Sequence, residues 1–185
     1  MLRKYILYLC YLKYKIKFYN KVKFNGFTII YNFKKSRIII GDNTSINSGF
    51  FSNLLGLYQK TIIISRYGGI INIGKNVGIS GTTIYAMSKI SIGNNTMIGA
   101  NCKIIDNDFH PLNSNKRILN NPEDIKKREI SIGNNCFIGM NTIILKGTII
   151  GDNSIVGAGS VVSGKFISNS IICGNPAVKI KDNTN

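Results

Sequence analysis

Apolar residues recur at every sixth position through the second half of the chain: Ile132, Ile138, Ile144, Ile150, Val156 and Val162. Two places before all but the first stands a small residue: Cys136, Thr142, Thr148, Ser154 and Ser160. The string Ile-Gly-x-Asn, with Asp, Lys or Asn at x, begins at Ile40, Ile73, Ile92, Ile132 and Ile150. A period of six matches neither a 3.6-residue helix nor the alternation of a half-buried strand. It predicts an all-β solenoid in which a short strand is followed by a turn and the unit repeats, a parallel β-helix of hexads. Ile132 and Ile150 lie three hexads apart, which stacks their motifs at one corner of a triangular coil. Gly, and to a lesser degree Asn, suits such corners because each tolerates positive φ. The inward Ile and Val then form a continuous core, each coil depending on its neighbours for burial. A β-sandwich with Gly/Asn turns is the alternative, and six aliphatic residues in strict register argue against it.

The rhythm breaks once in this region. Ile92, Ile98 and Ile104 count on to His110, so the histidine stands where the next inward aliphatic belongs. The hexads resume at Ile132, forty residues after Ile92, which leaves twenty-two beyond one eighteen-residue coil. The excess is a polar excursion containing Pro111 and Pro122, set here at residues 111–131. Long insertions in compact domains are usually functional or disordered. This one starts at the single histidine of the chain.

These strings carry a resemblance. The chain resembles the bacterial hexapeptide-repeat acyltransferases, above all their sugar O-acetyltransferase branch (maltose, galactoside, nodulation-factor and capsule or O-antigen acetyltransferases). There a His-Pro-Leu opens an extended loop with an Arg seven places after the His, as in His110-Pro111-Leu112 and Arg117. The series continues with ISIGNNCFIGMNTIILKGTIIGDNSIVGAGSVVSG from Ile130 and GNPAVKI from Gly174, so the likeness covers about residues 73–181. Phe137 departs from the family's Trp, and PAVK from its commoner PAKV. The resemblance implies a left-handed helix, a homotrimer, acetyl-CoA as co-substrate with no metal, and a carbohydrate acceptor.

It also implies a site. Acetyl transfer from a thioester to a hydroxyl needs a base, and imidazole suits because its ordinary pKa lies near 6.5. His110 is that base, in direct transfer without an acyl-enzyme. Asp108 or Asp106 would orient it, Asp108 because residues two apart in extended chain point the same way. A polar turn without contact to the ring, or a backbone carbonyl as partner, remain the alternatives. Ser80 and Arg117 fall at acceptor-side positions. Phe137, Gly139, Met140, Ala158 and Ser163 would line the coenzyme groove between two subunits, and Lys165, Lys179 and Lys181 would meet its phosphates. The small residues of Gly157–Ser160 equally suit close packing of coils.

Composition changes the picture at one end. At 185 residues one domain is expected, divided as a basic cap over 1–27, the β-helix over 28–181 and a tail over 182–185. Residues 1–41 hold ten Lys or Arg and no acid, out of a net charge of +16. Leu2, Ile6, Leu9 and Ile16 can share one helical face, so the cap is expected to be partly helical. It would cover the open end of the solenoid or lie on an anionic membrane surface; nucleic-acid binding is the weakest reading, and none is expected. The apolar run from Tyr5 to Leu12 is short for a signal peptide and lacks a small-residue cleavage site. Four cysteines without C-x-x-C spacing suggest reduced thiols and a cytoplasmic setting, at most peripheral at the membrane. A hexapeptide-repeat metalloenzyme using three histidine ligands is excluded by the single histidine. An N-acetyltransferase acting on an amino-sugar nucleotide is the runner-up. Serine and antibiotic acetyltransferases follow, and then a non-catalytic solenoid.

Overall fold

The computed structural model describes residues 16–184. The chain winds round three parallel sheets in turn. The first face holds Ile16–Phe18, Arg37–Ile40, Ile70–Ile73, Lys89–Ile92, Ile130–Ile132, Ile149–Ile150 and Lys165–Phe166. Lys23–Asn25, Ser45–Asn47, Gly78–Ser80, Met97–Ile98, Phe137–Ile138, Ile155–Val156 and Ser170–Gly174 make the second. Ile29–Asn32, Ile62–Ser65, Thr83–Ala86, Lys103–Ile105, Ile143–Ile144 and Val161–Val162 make the third. This is the parallel β-helix that the hexads predict, with the left hand that the resemblance implies, and all six aliphatic residues of the repeat are buried. The small residues before them are buried as well, with Thr142, Thr148, Ser154 and Ser160 hydroxyls reaching backbone carbonyls of their own or the next coil.

The first corner, between the first and second faces, sets the register. The inward pairs Phe18 and Phe24, Ile40 and Ile46, Ile73 and Ile79, Ile92 and Ile98, Ile132 and Ile138, Ile150 and Val156, and Phe166 and Ile172 are all six apart. At its apex Asn43, Asn76, Asn95, Asn135, Asn153 and Asn169 are left-handed, with φ between 54° and 58°. Their side-chain amides form a ladder, each Nδ2 donating to the next Oδ1 at 2.9–3.2 Å. The residue before each apex does a second job. Asp42, Asn94, Asn134 and Asp152 accept the backbone N–H of Asn20, Lys75, Asn94 and Asn134 from the preceding coil, at 2.7–2.8 Å. The glycine of the motif lets the coils close, since a Cβ on Gly41 would lie 2.5 Å from the carbonyl oxygen of Gly74.

Three boundaries move. Ile16–Phe18 and Lys23–Asn25 pair with Arg37–Ile40 and Ser45–Asn47, so residues 16–27 belong to the first coil and Ile16 is in a strand, not a helix. The rest of the expected cap, including Leu2, Ile6 and Leu9, lies outside the described residues. The excursion begins at Asp106–Asn107 and ends before Ile130, which pairs with Ile90 inside the first face. Its mouth is pinched by an antiparallel bridge between Asn107 and Lys127 and by Arg128 N–H on the Asp106 carbonyl at 2.8 Å. A second insertion lies at the second corner. Ile63 comes seventeen positions after Ile46, where Ile84 comes five after Ile79 in the coil stacked on them. Its Phe50, Phe51, Leu54, Leu55 and Tyr58 are exposed. After Ser170–Gly174 the chain reverses, and Ala177–Asp182 pairs antiparallel with that strand. Among the described residues no helix is long and apolar enough to cross a membrane.

The ladder predicts a graded response at its middle. Asn135→Ala should lose both amide bonds and force a Cβ residue without side-chain compensation into the left-handed region, costing about 1–3 kcal/mol. Asn135→Gly should cost less, because the conformation is relieved and only the bonds are lost. Thermal melts of the two variants check the order.

Candidate functional site

The excursion is built to hold one ring. A three-residue turn puts Phe109 at φ 59°, with His110 N–H on the Asp108 carbonyl at 2.6 Å. A bulky residue at positive φ is costly and rare, and here the Phe109 ring packs on Tyr85, centroids 4.8 Å apart. Asn113 then caps helix α1 (Ser114–Leu119), its side chain accepting from Lys116 N–H at 3.1 Å. Asn120 ends the helix in the left-handed conformation at φ 48°. That conformation turns its side chain back, and Asn120 Oδ1 lies 3.0 Å from His110 Nδ1. An amide oxygen facing Nδ1 is matched by the Nδ1–H tautomer, the one that leaves the Nε2 lone pair free. His110 opens onto a cavity of about 310 Å³ lined by Arg66, Tyr67, Tyr85, Met87, Phe109, Asn120, Pro122 and Ile125.

Neither aspartate hydrogen-bonds the histidine ring. Asp108 pairs with Lys146. Asp106 is fully buried and accepts Met87 and Ser88 N–H at 2.8 and 2.7 Å, with Asn107 Nδ2 at 3.1 Å. It ties the mouth of the excursion to the coil below, and burial pushes its carboxyl above the ordinary aspartate range while these three donors pull it back. The break in the hexads therefore falls at Asp106, which follows the Ile105–Tyr85 pair, and not at His110, which is exposed. Asn120 was missed because its contact depends on the left-handed end of α1. An Asn between a short helical stretch and an Asn-Pro pair was the available signal.

The remaining candidates divide between corners. His110 and Arg117 sit at the third, where Arg117 is turned onto the Pro111 and Leu112 carbonyls at 3.3 and 3.0 Å and steadies the excursion. Ser163 and Lys165 flank the same corner two coils on and are exposed. Ser80, Gly139, Met140 and Ala158 stack at the second corner. Ser80 is buried there and its hydroxyl accepts from Asn47 at 3.1 Å. A Cβ on Gly139 would lie 2.5 Å from Ala158 N, so this glycine serves coil packing. Gly159 is different: φ is 71° and a Cβ there would meet nothing within 4 Å, so the corner is open beside Ala158. That fits the approach of an extended thioester arm. Phe137 is half exposed on the second face, and Lys179 and Lys181 lie on the strand that closes it, Lys179 paired with Asp182 at 2.6 Å. None of these second-corner and C-terminal groups lines the His110 cavity.

The insertion missed in the sequence lies along the second corner. Tyr58 donates to Asn141 Oδ1 at 3.3 Å, Asn101 Nδ2 donates to the Gly56 carbonyl at 3.1 Å, and Gln59 bonds Gly81 and Lys103. Burial pulls the Lys103 ammonium below its usual range. Cys102 and Cys136 are buried free thiols, and burial raises Cys102 to about 11, which removes it from nucleophilic chemistry near neutral pH. Among the described residues no group of His, Cys, Asp and Glu could hold a metal ion.

Comparison with known proteins agrees with the repeat fold. The family model described as "Bacterial transferase hexapeptide (six repeats)" matches residues 129–164, and "Hexapeptide repeat of succinyl-transferase" matches 89–104. The chain is 36% identical over 127 residues to a "Putative acetyltransferase" of Dictyostelium discoideum, spanning 68% of this chain and 65% of that one. It is 32% identical to the Escherichia coli K12 protein "Putative lipopolysaccharide biosynthesis O-acetyl transferase WbbJ", over 77% of this chain and 74% of that one. Among solved structures, the Bacillus cereus N-acyltransferase AntD in complex with dTDP and 3-hydroxybutyryl-CoA superposes with a TM-score of 0.60 at 23% identity, covering 84% and 80% of the two chains, and shares the fold.

Asp106 yields a pH test. Its folded-state pKa is raised, so between the ordinary aspartate value and the raised one the folded chain binds more protons than the unfolded chain, and stability falls as pH rises. Chemical denaturation of the wild type should show this negative slope just above the usual aspartate range. In Asp106→Asn that part of the slope should be absent. The variant should also be less stable at neutral pH by about 1–3 kcal/mol, because an amide offers only one oxygen to two backbone donors.

Proposed function

The chain belongs to the hexapeptide-repeat acyltransferase family, and from that membership we propose that it transfers an acetyl group from acetyl-CoA to a hydroxyl of a carbohydrate, a unit or precursor of a cell-surface polysaccharide. The observation that carries the reading is His110, lifted out of the repeat onto a cavity with Nδ1 held by Asn120. Nε2 takes the proton of the acceptor hydroxyl as its oxygen attacks the thioester carbonyl. The tetrahedral oxyanion collapses, the carbon–sulfur bond breaks, and the imidazolium returns the proton to the leaving thiolate. A backbone N–H at the second corner, near Gly139 and Met140, stabilises the oxyanion.

His110 and the coenzyme residues lie on different corners of one chain, so the reading includes self-association. A trimer sets the third corner of one subunit against the second corner of its neighbour, with acetyl-CoA between them along Met140 and Ala158. The exposed Phe50, Phe51, Leu54 and Leu55 beside the second corner supply apolar surface of the kind that marks such contacts. The similarity to a lipopolysaccharide O-acetyltransferase favours a hydroxyl acceptor over the amine of an amino-sugar nucleotide.

His110→Ala should keep the fold, the assembly and acetyl-CoA affinity while kcat falls by roughly 10²–10⁴, the usual worth of a general base. His110→Asn should fail alike, since an amide cannot take the proton. Unfolding of His110→Ala would instead make the residue a structural filler. For Asn120, the Gly variant tolerates positive φ and removes only the acceptor. It should lower kcat about tenfold, the scale of one hydrogen bond, and Asn120→Asp should recover activity.

A further inference from the structure

From the His110 cavity a path of aromatic rings runs down the outside of the helix toward its N-terminal end. Phe109 packs on Tyr85. The Tyr85 hydroxyl accepts from Arg66 Nη1 at 3.4 Å, and the Tyr67 hydroxyl from Nη2 at 3.1 Å. The Arg66 guanidinium lies over the Tyr67 ring at 4.8 Å and over the Phe33 ring at 4.6 Å. Phe33 in turn packs on Tyr31, centroids 4.3 Å apart. Tyr31, Ile64 and Tyr85 are register partners on the outer side of the third face, so the path crosses three successive coils before it reaches the excursion.

None of these rings belongs to the buried core, and Tyr31, Tyr67 and Phe109 are each more than 40% exposed. They contact one another and Arg66, a guanidinium with no carboxylate partner among the described residues. Stacking fixes its plane while N–H groups remain for a ligand. Strands in a sheet lie about 4.8 Å apart, so the path is longer than one sugar ring fills. The C–H face of a pyranose is apolar and packs flat on an aromatic ring, whereas its hydroxyl edge needs donors such as Arg66. Alternating rings and donor on one open strip suit a chain of sugars.

We propose that this strip is an extended acceptor subsite, and that the acceptor is an oligosaccharide or polymer and not a free monosaccharide or sugar nucleotide. The unit to be acetylated sits at His110 beside Tyr85 and Arg66. The following units lie over Phe33 and Tyr31. The inference rests on the carbohydrate O-acetyltransferase reading.

The test uses the full-length protein, acetyl-CoA, and mono-, di-, tri- and tetrasaccharides prepared by partial hydrolysis of the de-O-acetylated surface glycan of the cell that makes it, with released thiol as readout. For the wild type, KM should fall at least about tenfold from monosaccharide to tetrasaccharide at similar kcat, the size of effect one well-stacked ring supplies. In Tyr31→Thr, a change a strand tolerates, and in Phe33→Ser, the ratio of kcat/KM for tetrasaccharide over monosaccharide should collapse toward one. Light scattering and thermal melts report whether each variant keeps assembly and fold. Equal KM for all lengths in the wild type overturns the subsite and leaves the transferase standing, as does a loss that is the same for every length. Dissociation of the assembly by Tyr31→Thr overturns it too, since the strip is then a subunit contact. No transfer to any fragment overturns the O-acetyltransferase reading itself, and the subsite with it.

Discussion

A coil of this helix must turn three corners, and at the first it does so in the left-handed conformation every time. Asparagine meets both demands of that position. It adopts positive φ at modest cost, and its amide donates and accepts along the helix axis, so each corner holds the next in line. With the spacing there held at six, every inward isoleucine lands on the one below, and a continuous core follows without long-range design. The Asp or Asn just before the apex adds a bond to the previous coil's backbone. Register, burial and backbone satisfaction are thus settled at one edge of the triangle.

That division of labour leaves the other two corners free. Both long insertions fall there, the apolar loop after Asn47 at the second and the histidine excursion after Ile105 at the third. Each returns to the core without disturbing the strand that follows, because the first corner re-establishes register in the same coil. The excursion is itself anchored by a buried carboxylate, Asp106, whose desolvation is offset only in part by three hydrogen bonds. Removing one member of such a cluster leaves the others unsatisfied, and the anchor reaches the His110 ring through the chain, not through a hydrogen bond.

The sequence made the regular parts legible for the same reason that they are regular. Hexads in strict register leave one architecture, and the Ile-Gly-x-Asn string announces its corner. Two things were hidden. Residues 16–27 carry no such string, since Lys21 takes the left-handed place that asparagine holds in later coils, so their strands were invisible to pattern. The surroundings of His110 were hidden because they depend on where a loop folds back. Spacing brought Asp108 near the ring in extended chain, but the turn at Phe109 sends it to Lys146 and brings Asn120 round instead. The aromatic strip escaped as well. Tyr31, Phe33, Arg66 and Tyr85 are scattered in the sequence and become neighbours only once coils of unequal length are stacked.

The last strand matters in a way that concerns neither core nor catalysis. A stack of parallel strands has no intrinsic end, and its final edge presents unpaired N–H and C=O groups to any other extended chain. On the second face Ala177–Asp182 runs back antiparallel over that edge, a direction no further coil can continue. Its exposed lysines, Lys179 and Lys181, set charge where a foreign strand would have to dock. On this face the strand therefore occupies the edge where a foreign strand would otherwise add, and turns an open parallel ladder into a hairpin.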